Sequence, residues 1–234
     1  MKYIPFLISL LFILTGCAAG GTYETARTAP YGVFQPGGAI HFATVARSIS
    51  GENVSSFLFH SIPELSFKYG VADNFDIGAR WAFGPVITAT SKYQFLNAGT
   101  EGAISMYSWL YYYYRSAGGV RETFISFGLE PWIIISNEQP GGFPYSLNAG
   151  LNCASSYEGV AGAEATDISI TAVGGVGLPI RVGATRCFRI MPELSASVPL
   201  VNGRFALSLG VGFTYTGQDE RSGNIYRRGE RSLK

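Results

Sequence analysis

Side chains able to do acid–base or nucleophilic work are few in this chain. There are two histidines, His41 and His60, and a serine, Ser61, follows the second. A histidine activates a neighbouring hydroxyl only when a carboxylate orients the ring and a substrate reaches the oxygen. Glu52 is the nearest acid available to that pair, and no nucleophile motif surrounds Ser61. No catalytic set is therefore expected. The histidines and the three cysteines are scattered, and no carboxylate run has calcium-loop spacing, so neither metal nor cofactor is expected. The glycine run "GGVG" (Gly174–Gly177) lacks the following helix that a phosphate loop needs, and reads instead as relief of crowding.

The remaining candidates are charges set in a pattern. "IPELS" (Ile62–Ser66) is echoed by "MPELS" (Met191–Ser195), and both lie in segments of period two. In Arg204–Tyr215, Phe205, Leu207, Leu209, Val211, Phe213 and Tyr215 share one face, opposite Arg204, Ala206, Ser208, Gly210, Gly212 and Thr214. Phe75–Phe83 and Leu65–Val71 alternate in the same way. Such alternation is the signature of a strand with two unlike faces. By parity Glu64, Lys68, Arg80, Lys92, Glu130, Arg181, Arg189 and Glu193 all fall on the less apolar face.

Ten strands are expected, near 37–46, 58–70, 75–83, 86–96, 102–114, 121–135, 143–155, 167–181, 186–199 and 203–216. Compact turns are expected at "VADN", "NAGTE", "NEQPGG" and "GAT", and longer loops around 47–57 and 155–166.

Composition decides which face meets what. Only 14% of residues are charged, against roughly 25% in soluble domains, while Gly (30), Phe (16) and Tyr (14) are abundant. Large apolar side chains outside and small or charged ones inside fit a narrow membrane barrel, whose closed ladder pairs every backbone group. The expected fold is an all-β, antiparallel, up-and-down transmembrane β-barrel over residues 37–216. An even strand number returns both termini to one side, here the periplasm. "YSWLYYYY" (Tyr107–Tyr114) reads as part of an interfacial aromatic belt.

Charges buried in so narrow an interior must pair. They read as a structural polar core or as a binding or conduction path, with Arg181 and Arg189 favouring an anion. Pro63, Pro131, Pro179 and Pro192 count against continuous strands, because proline deletes a ladder hydrogen bond. The rival fold is a lipid-anchored soluble periplasmic β-protein that binds a ligand, and a small barrel enzyme is the third reading. Formal charge is +1, which gives no case for nucleic acid.

The chain opens with Lys2 and an uncharged apolar core, Tyr3–Leu14, too short for a transmembrane helix and suited to a signal peptide over 1–16. The following Leu14-Thr15-Gly16-Cys17 resembles the lipobox of bacterial lipoproteins. That resemblance implies cleavage before Cys17, covalent diacylglycerol and an acyl chain (palmitate) on its sulfur and new N-terminus, and a lipidated linker over 17–36. Ala18 rather than Asp after the cysteine implies the outer membrane of a Gram-negative envelope.

Ser208-x-Gly210-x-x-Phe213-x-Tyr215 is similar to the terminal-strand signal of bacterial outer-membrane β-barrels, which implies the barrel-assembly machinery as a partner. It departs from that family in carrying a polar, basic tail over 217–234. Residues 31–97, with "PELSFKYGVADNFDIGARW" and "KYQFL", look like uncharacterised barrel lipoproteins. Together these imply an outer-membrane lipoprotein touching outer-membrane lipid, non-enzymatic, with a structural, adhesive or narrow solute-binding role. In this topology Cys153 and Cys187 lie at opposite ends, too far apart to bridge.

Overall fold

The structure is a computed structural model that describes residues 22–48, 56–82, 86–98, 100–117, 120–138, 142–160, 163–182, 187–201 and 204–216. The signal segment 1–16, Cys17 and the tail 217–234 lie outside the described residues. The strands are β1 (Phe34–Ser48), β2 (Ser56–Ala72), β3 (Phe75–Ala82), β4 (Val86–Ala98), β5 (Thr100–Ala117) and β6 (Val120–Asn137). They continue as β7 (Tyr145–Val160), β8 (Ala163–Gly177), β9 (Ile180–Val182), β10 (Phe188–Val201) and β11 (Arg204–Tyr215).

Consecutive strands pair antiparallel, and β1 closes the sheet against β11 from Gly37↔Thr214 to Ser48↔Arg204. The short β9 takes up β8's place beside β10 after a break at Leu178–Pro179. The wall is thus a closed antiparallel barrel of ten strands.

Alternation is read out on the two faces as expected. Leu65, Phe67 and Tyr69 on β2, Ile77 and Trp81 on β3, and Leu129 and Ile133 on β6 stand exposed on the outer wall. The intervening positions are buried in the lumen, among them Glu64, Lys68, Asp76 and Arg80. Cys153 is exposed on the outer wall and Cys187 lies just before β10, and no disulfide joins them.

Three expectations change. The segment 155–166 is a hairpin, since β7 and β8 stay paired from Ser155↔Ile168 to Val160↔Ala163. Beyond the apolar belt such a hairpin meets water on both faces, so it loses alternation while keeping its ladder. The connection expected at "NEQPGG" runs two residues further, over 138–144. Finally, "YSWLYYYY" is split by parity: Tyr112 and Tyr114 are exposed outside, while Tyr107, Trp109 and Tyr111 are buried in the lumen.

The prolines sit where a ladder stops. Pro63 lies one residue past the end of the β2–β3 ladder at Glu64↔Ala82. Pro131 falls in the gap of the β6–β7 register, between Leu129↔Cys153 and Trp132↔Gly150. Pro192 faces the β8–β9 break that holds Pro179. At such places the missing N–H costs little.

Candidate functional site

Sequence parity puts charges inside the barrel, but the residues that organise them come from outside the strands. Residues 22–33 precede β1, and 22–30 run round the inner wall at the end where β1 begins. This strap meets the strands in turn. Ala29 N donates to Asp76 Oδ2 on β3 (2.8 Å), Thr28 N to Gln94 Oε1 on β4 (3.3 Å), and Arg27 Nε to Glu101 on β5 (2.9 Å). Ala26 N donates to Ser136 Oγ on β6 (2.9 Å), and Glu24 O accepts from Ser146 Oγ on β7 (2.8 Å). The segment expected as part of a linker therefore lies inside the lumen from Thr22 to Ala29.

Its end is fastened by an anion. Thr22 N and Tyr23 N both donate to the Glu193 carboxylate on β10, each at 2.8 Å. Two successive amides aimed at one carboxylate form a nest, a conformation that needs left-handed backbone. Tyr23 supplies it with φ of 48°, which costs about 1–3 kcal/mol for a non-glycine residue. The Tyr23 ring then lies on β11, where a methyl at Gly210 would collide with its hydroxyl. That hydroxyl shares a hydrogen bond with His41 Nδ1 (3.0 Å), and His41 Nε2 faces Glu64 (3.5 Å).

Charges around the strap are matched. Glu24 takes both Lys68 (2.8 Å) and Lys92 (3.2 Å), and Lys92 also faces Asp76 (3.6 Å). Arg80 grips Glu64 through two nitrogens, at 2.6 and 3.0 Å. Arg189 and Arg181 both hold Glu138, at 3.0 and 2.9 Å, and Arg189 also donates to Thr25 Oγ1. Burial pushes the Glu138 carboxyl up, but Arg189 and Arg181 outweigh it and hold the group at about 2. A water-sized cavity between the strap and β1–β2 interrupts this packing.

Of the expected lumen residues, Glu64, Lys68, Arg80, Lys92, Arg189 and Glu193 join this network, with Arg181 half-buried at its edge. Glu130 does not. Among the described residues its carboxylate accepts from neutral groups, Asn152 Nδ2 (2.8 Å) and Trp132 Nε1 (3.4 Å). Nearby Trp109 lies flat on Gly128 and Trp132 on Gly150, where a Cβ would strike either ring within 2.9 Å.

Sequence reasoning missed Glu24, Arg27, Asp76, Glu101 and Glu138. A signal was present: the five inward cations, Lys68, Arg80, Lys92, Arg181 and Arg189, outnumber the three carboxylates assigned to them.

The expected histidine pair is described on one side only, and the Ser61 side chain lies outside the described residues. His41 is opposite Ile62 on the β1–β2 ladder and is committed to Glu64 and Tyr23, while the His60 side chain lies outside the described residues. Among the described residues no His, Cys, Asp and Glu group could hold a metal ion. On β11, Ser208 is bonded to Ser195 inside (2.6 Å), Gly210 underlies Tyr23, and Phe213 and Tyr215 are exposed outside.

No family model matches the chain, and no curated relative matches it. Among solved structures it is similar to an outer-membrane channel from Pseudomonas putida F1, at 14% identity and a TM-score of 0.48, over 85% of this chain and 99% of that one. The translocator domain of the autotransporter NalP from Neisseria meningitidis aligns at 10% identity and 0.45, over 91% and 95%. The outer-membrane protease OmpT from Escherichia coli aligns at 11% identity and 0.44, over 83% and 99%.

Proposed function

We propose that this protein is an outer-membrane lipoprotein, an integral barrel whose strap closes the lumen at the periplasmic end, so that it binds or displays rather than conducts. The observation that carries this reading is the inverted polarity of the wall. Leu129 and Ile133 are 52% and 55% exposed outside, whereas Lys92 and Glu193 are 2% and 1% exposed inside. In water that arrangement would leave a large apolar surface unpaired, and in lipid it is the stable one. It disfavours the soluble rival, whose outer strand faces would carry the charge. Among the described residues the catalytic reading is disfavoured by His41, which is tied to the strap.

The periplasmic N-terminus is supported by reach. Thr22 accepts a hydrogen bond from Asn148, the fourth residue of β7. Four residues separate Thr22 from Cys17, and the five Cα-to-Cα steps span at most about 17 Å. That suffices to bring a lipid on Cys17 back to the near rim and into the inner leaflet. Terminal Ser208, Gly210, Phe213 and Tyr215 serve as the signal to the assembly machinery in this reading.

The test is gel migration of the membrane-extracted protein before and after boiling, together with conductance in a planar bilayer. A heat-dependent shift with no conductance is expected, and deletion of residues 22–30 opens a pore. Absence of a shift, with release by lipid cleavage alone, overturns the integral barrel. Conductance of the intact protein overturns the closed lumen. Palmitate labelling lost in Cys17→Ser, with the delivered protein still membrane-integrated, is the outcome expected for the lipid.

A further inference from the structure

Of the six buried side-chain atoms without a hydrogen-bond partner among the described residues, Glu101 Oε2, Asn148 Oδ1 and Arg189 Nε belong to side chains engaged around the strap, and the other three cluster on the β5–β6–β7 wall: Tyr107 Oη, Trp109 Nε1 and Asn152 Oδ1. Tyr107 is opposite Glu130 on the β5–β6 ladder, Trp109 is opposite Gly128, and Asn152 is bonded to Glu130. All four residues are at least nine-tenths buried. A buried donor or acceptor left unpaired costs about 1–3 kcal/mol, so three together need a reason.

The donor and acceptor pattern selects the guest. A cation would meet Glu130 and Asn152 Oδ1 but leave the Trp109 N–H unpaired. It would also compete with Arg80, whose guanidinium already lies 5.3 Å over the Tyr107 ring. An anion would meet the Trp109 and Tyr107 donors but be repelled by Glu130. A hydroxyl both donates and accepts, and so satisfies every open atom at once. The indole of Trp109, pressed flat on the Gly128 backbone, offers the apolar platform on which the C–H face of a ring can stack.

We propose that Glu130, Asn152, Trp109 and Tyr107 bind a neutral polyhydroxylated ring, a saccharide. The site rests on the closed-barrel reading, which gives it a floor. Ala26 of the strap packs with Tyr107 and Trp132 in one buried cluster beneath it. On the side away from the strap β6 and β7 turn small residues to the lumen (Gly128 and Ser126, Ala154 and Ser156), the last two partly exposed, and the Tyr111–Phe124 ring pair stands beside them. In this proposal the ring enters from the outer end, past Tyr111 and Phe124, and stops above the strap.

The chain has three tryptophans, and Trp81→Phe removes the one on the outer wall, leaving Trp109 and Trp132 as reporters. The detergent-solubilised full-length barrel is titrated with D-glucose, N-acetyl-D-glucosamine and maltose, then with choline and acetate, while indole fluorescence is followed. At least one sugar is expected to give a saturable change, weakened tenfold or more in Asn152→Ala and in Trp109→Phe, which keeps a ring and loses the N–H.

Saturation by choline or acetate with the sugars silent overturns the ligand class. A sugar response unchanged in both variants overturns the location. Silence towards every probe overturns the site. Heat-dependent migration is measured on each sample, so a failed barrel is distinguished from a barrel that binds nothing.

Discussion

Two regions of one lumen treat buried polarity in opposite ways. Around the strap, Glu24, Lys68, Lys92, Asp76, Arg189, Arg181 and Glu138 form ion pairs, and Glu193 is capped by two amides. On the β5–β6–β7 wall, Glu130 has neutral partners and its neighbours leave three polar atoms open, whereas the open atoms near the strap, Glu101 Oε2, Asn148 Oδ1 and Arg189 Nε, belong to side chains otherwise ion-paired or hydrogen-bonded there. Burying charge is tolerated when it is paired, and an unpaired set is a cost that folding alone does not explain. The difference teaches that the strap region is built to hold together, and the other wall to be completed from outside.

The largest effect expected is at the centre of the matched region. Glu24→Gln leaves Lys68 and Lys92 facing each other in a buried site with one remaining carboxylate, Asp76, beside Lys92. Removing one partner of a buried pair costs about 3–5 kcal/mol. The cost falls first on the strap, so the variant is expected to gain conductance and to lose its heat-resistant gel form at lower temperature. Unchanged values of both would mean that the matched charges do not hold the strap.

Acid should act next, through Glu138. Its carboxyl sits at about 2 in the folded barrel against 4.5 for the free group. A depressed pKa contributes stability that is complete above the unfolded value and is lost as pH falls through the folded one. Between pH 4.5 and 2 the barrel is therefore expected to lose at most about 3 kcal/mol from this group. Thermal unfolding followed across that window should be flatter in Glu138→Gln.

A smaller loss is expected for Gly210→Ala, whose methyl would strike the Tyr23 hydroxyl. Overpacking of this kind costs about 1–3 kcal/mol. In a Tyr23→Ala background the same change should cost much less, and a thermal double-mutant cycle reads that coupling. Equal costs in both backgrounds would separate Gly210 from the strap.

The strands were legible because period two reports a wall with two unlike faces, and parity alone puts Glu64, Arg80 and Glu193 inside. Parity also divides Tyr107–Tyr114 correctly, once the run is read as alternate faces rather than as one belt. The strap was not legible. "TYETARTAP" has no period, and its position depends on bonds such as Thr22 to Glu193 across 171 residues, which no local pattern encodes. The upper hairpin 155–166 was missed for a related reason: where both faces meet water, a ladder persists without alternation. Gly210 shows one residue answering to two constraints, since it belongs to the terminal-strand pattern and also makes room for Tyr23.

The smallest effect expected is also the sharpest separation of the two regions. Glu130→Gln keeps the shape and the hydrogen bond from Asn152, because an amide oxygen accepts as a carboxylate does. It removes a buried charge that is in no ion pair among the described residues, Arg80 being gripped by Glu64, and so relieves a desolvation cost rather than creating an orphan. The stability change is expected to stay within about 1 kcal/mol of zero or to favour the variant, in contrast to the isosteric Glu24→Gln. Thermal unfolding of the two variants side by side decides this. A loss at Glu130 as large as at Glu24 would make the β5–β6–β7 wall a second structural network and erase the distinction. Near-neutral stability would mark Glu130 as a residue whose charge serves something other than the fold.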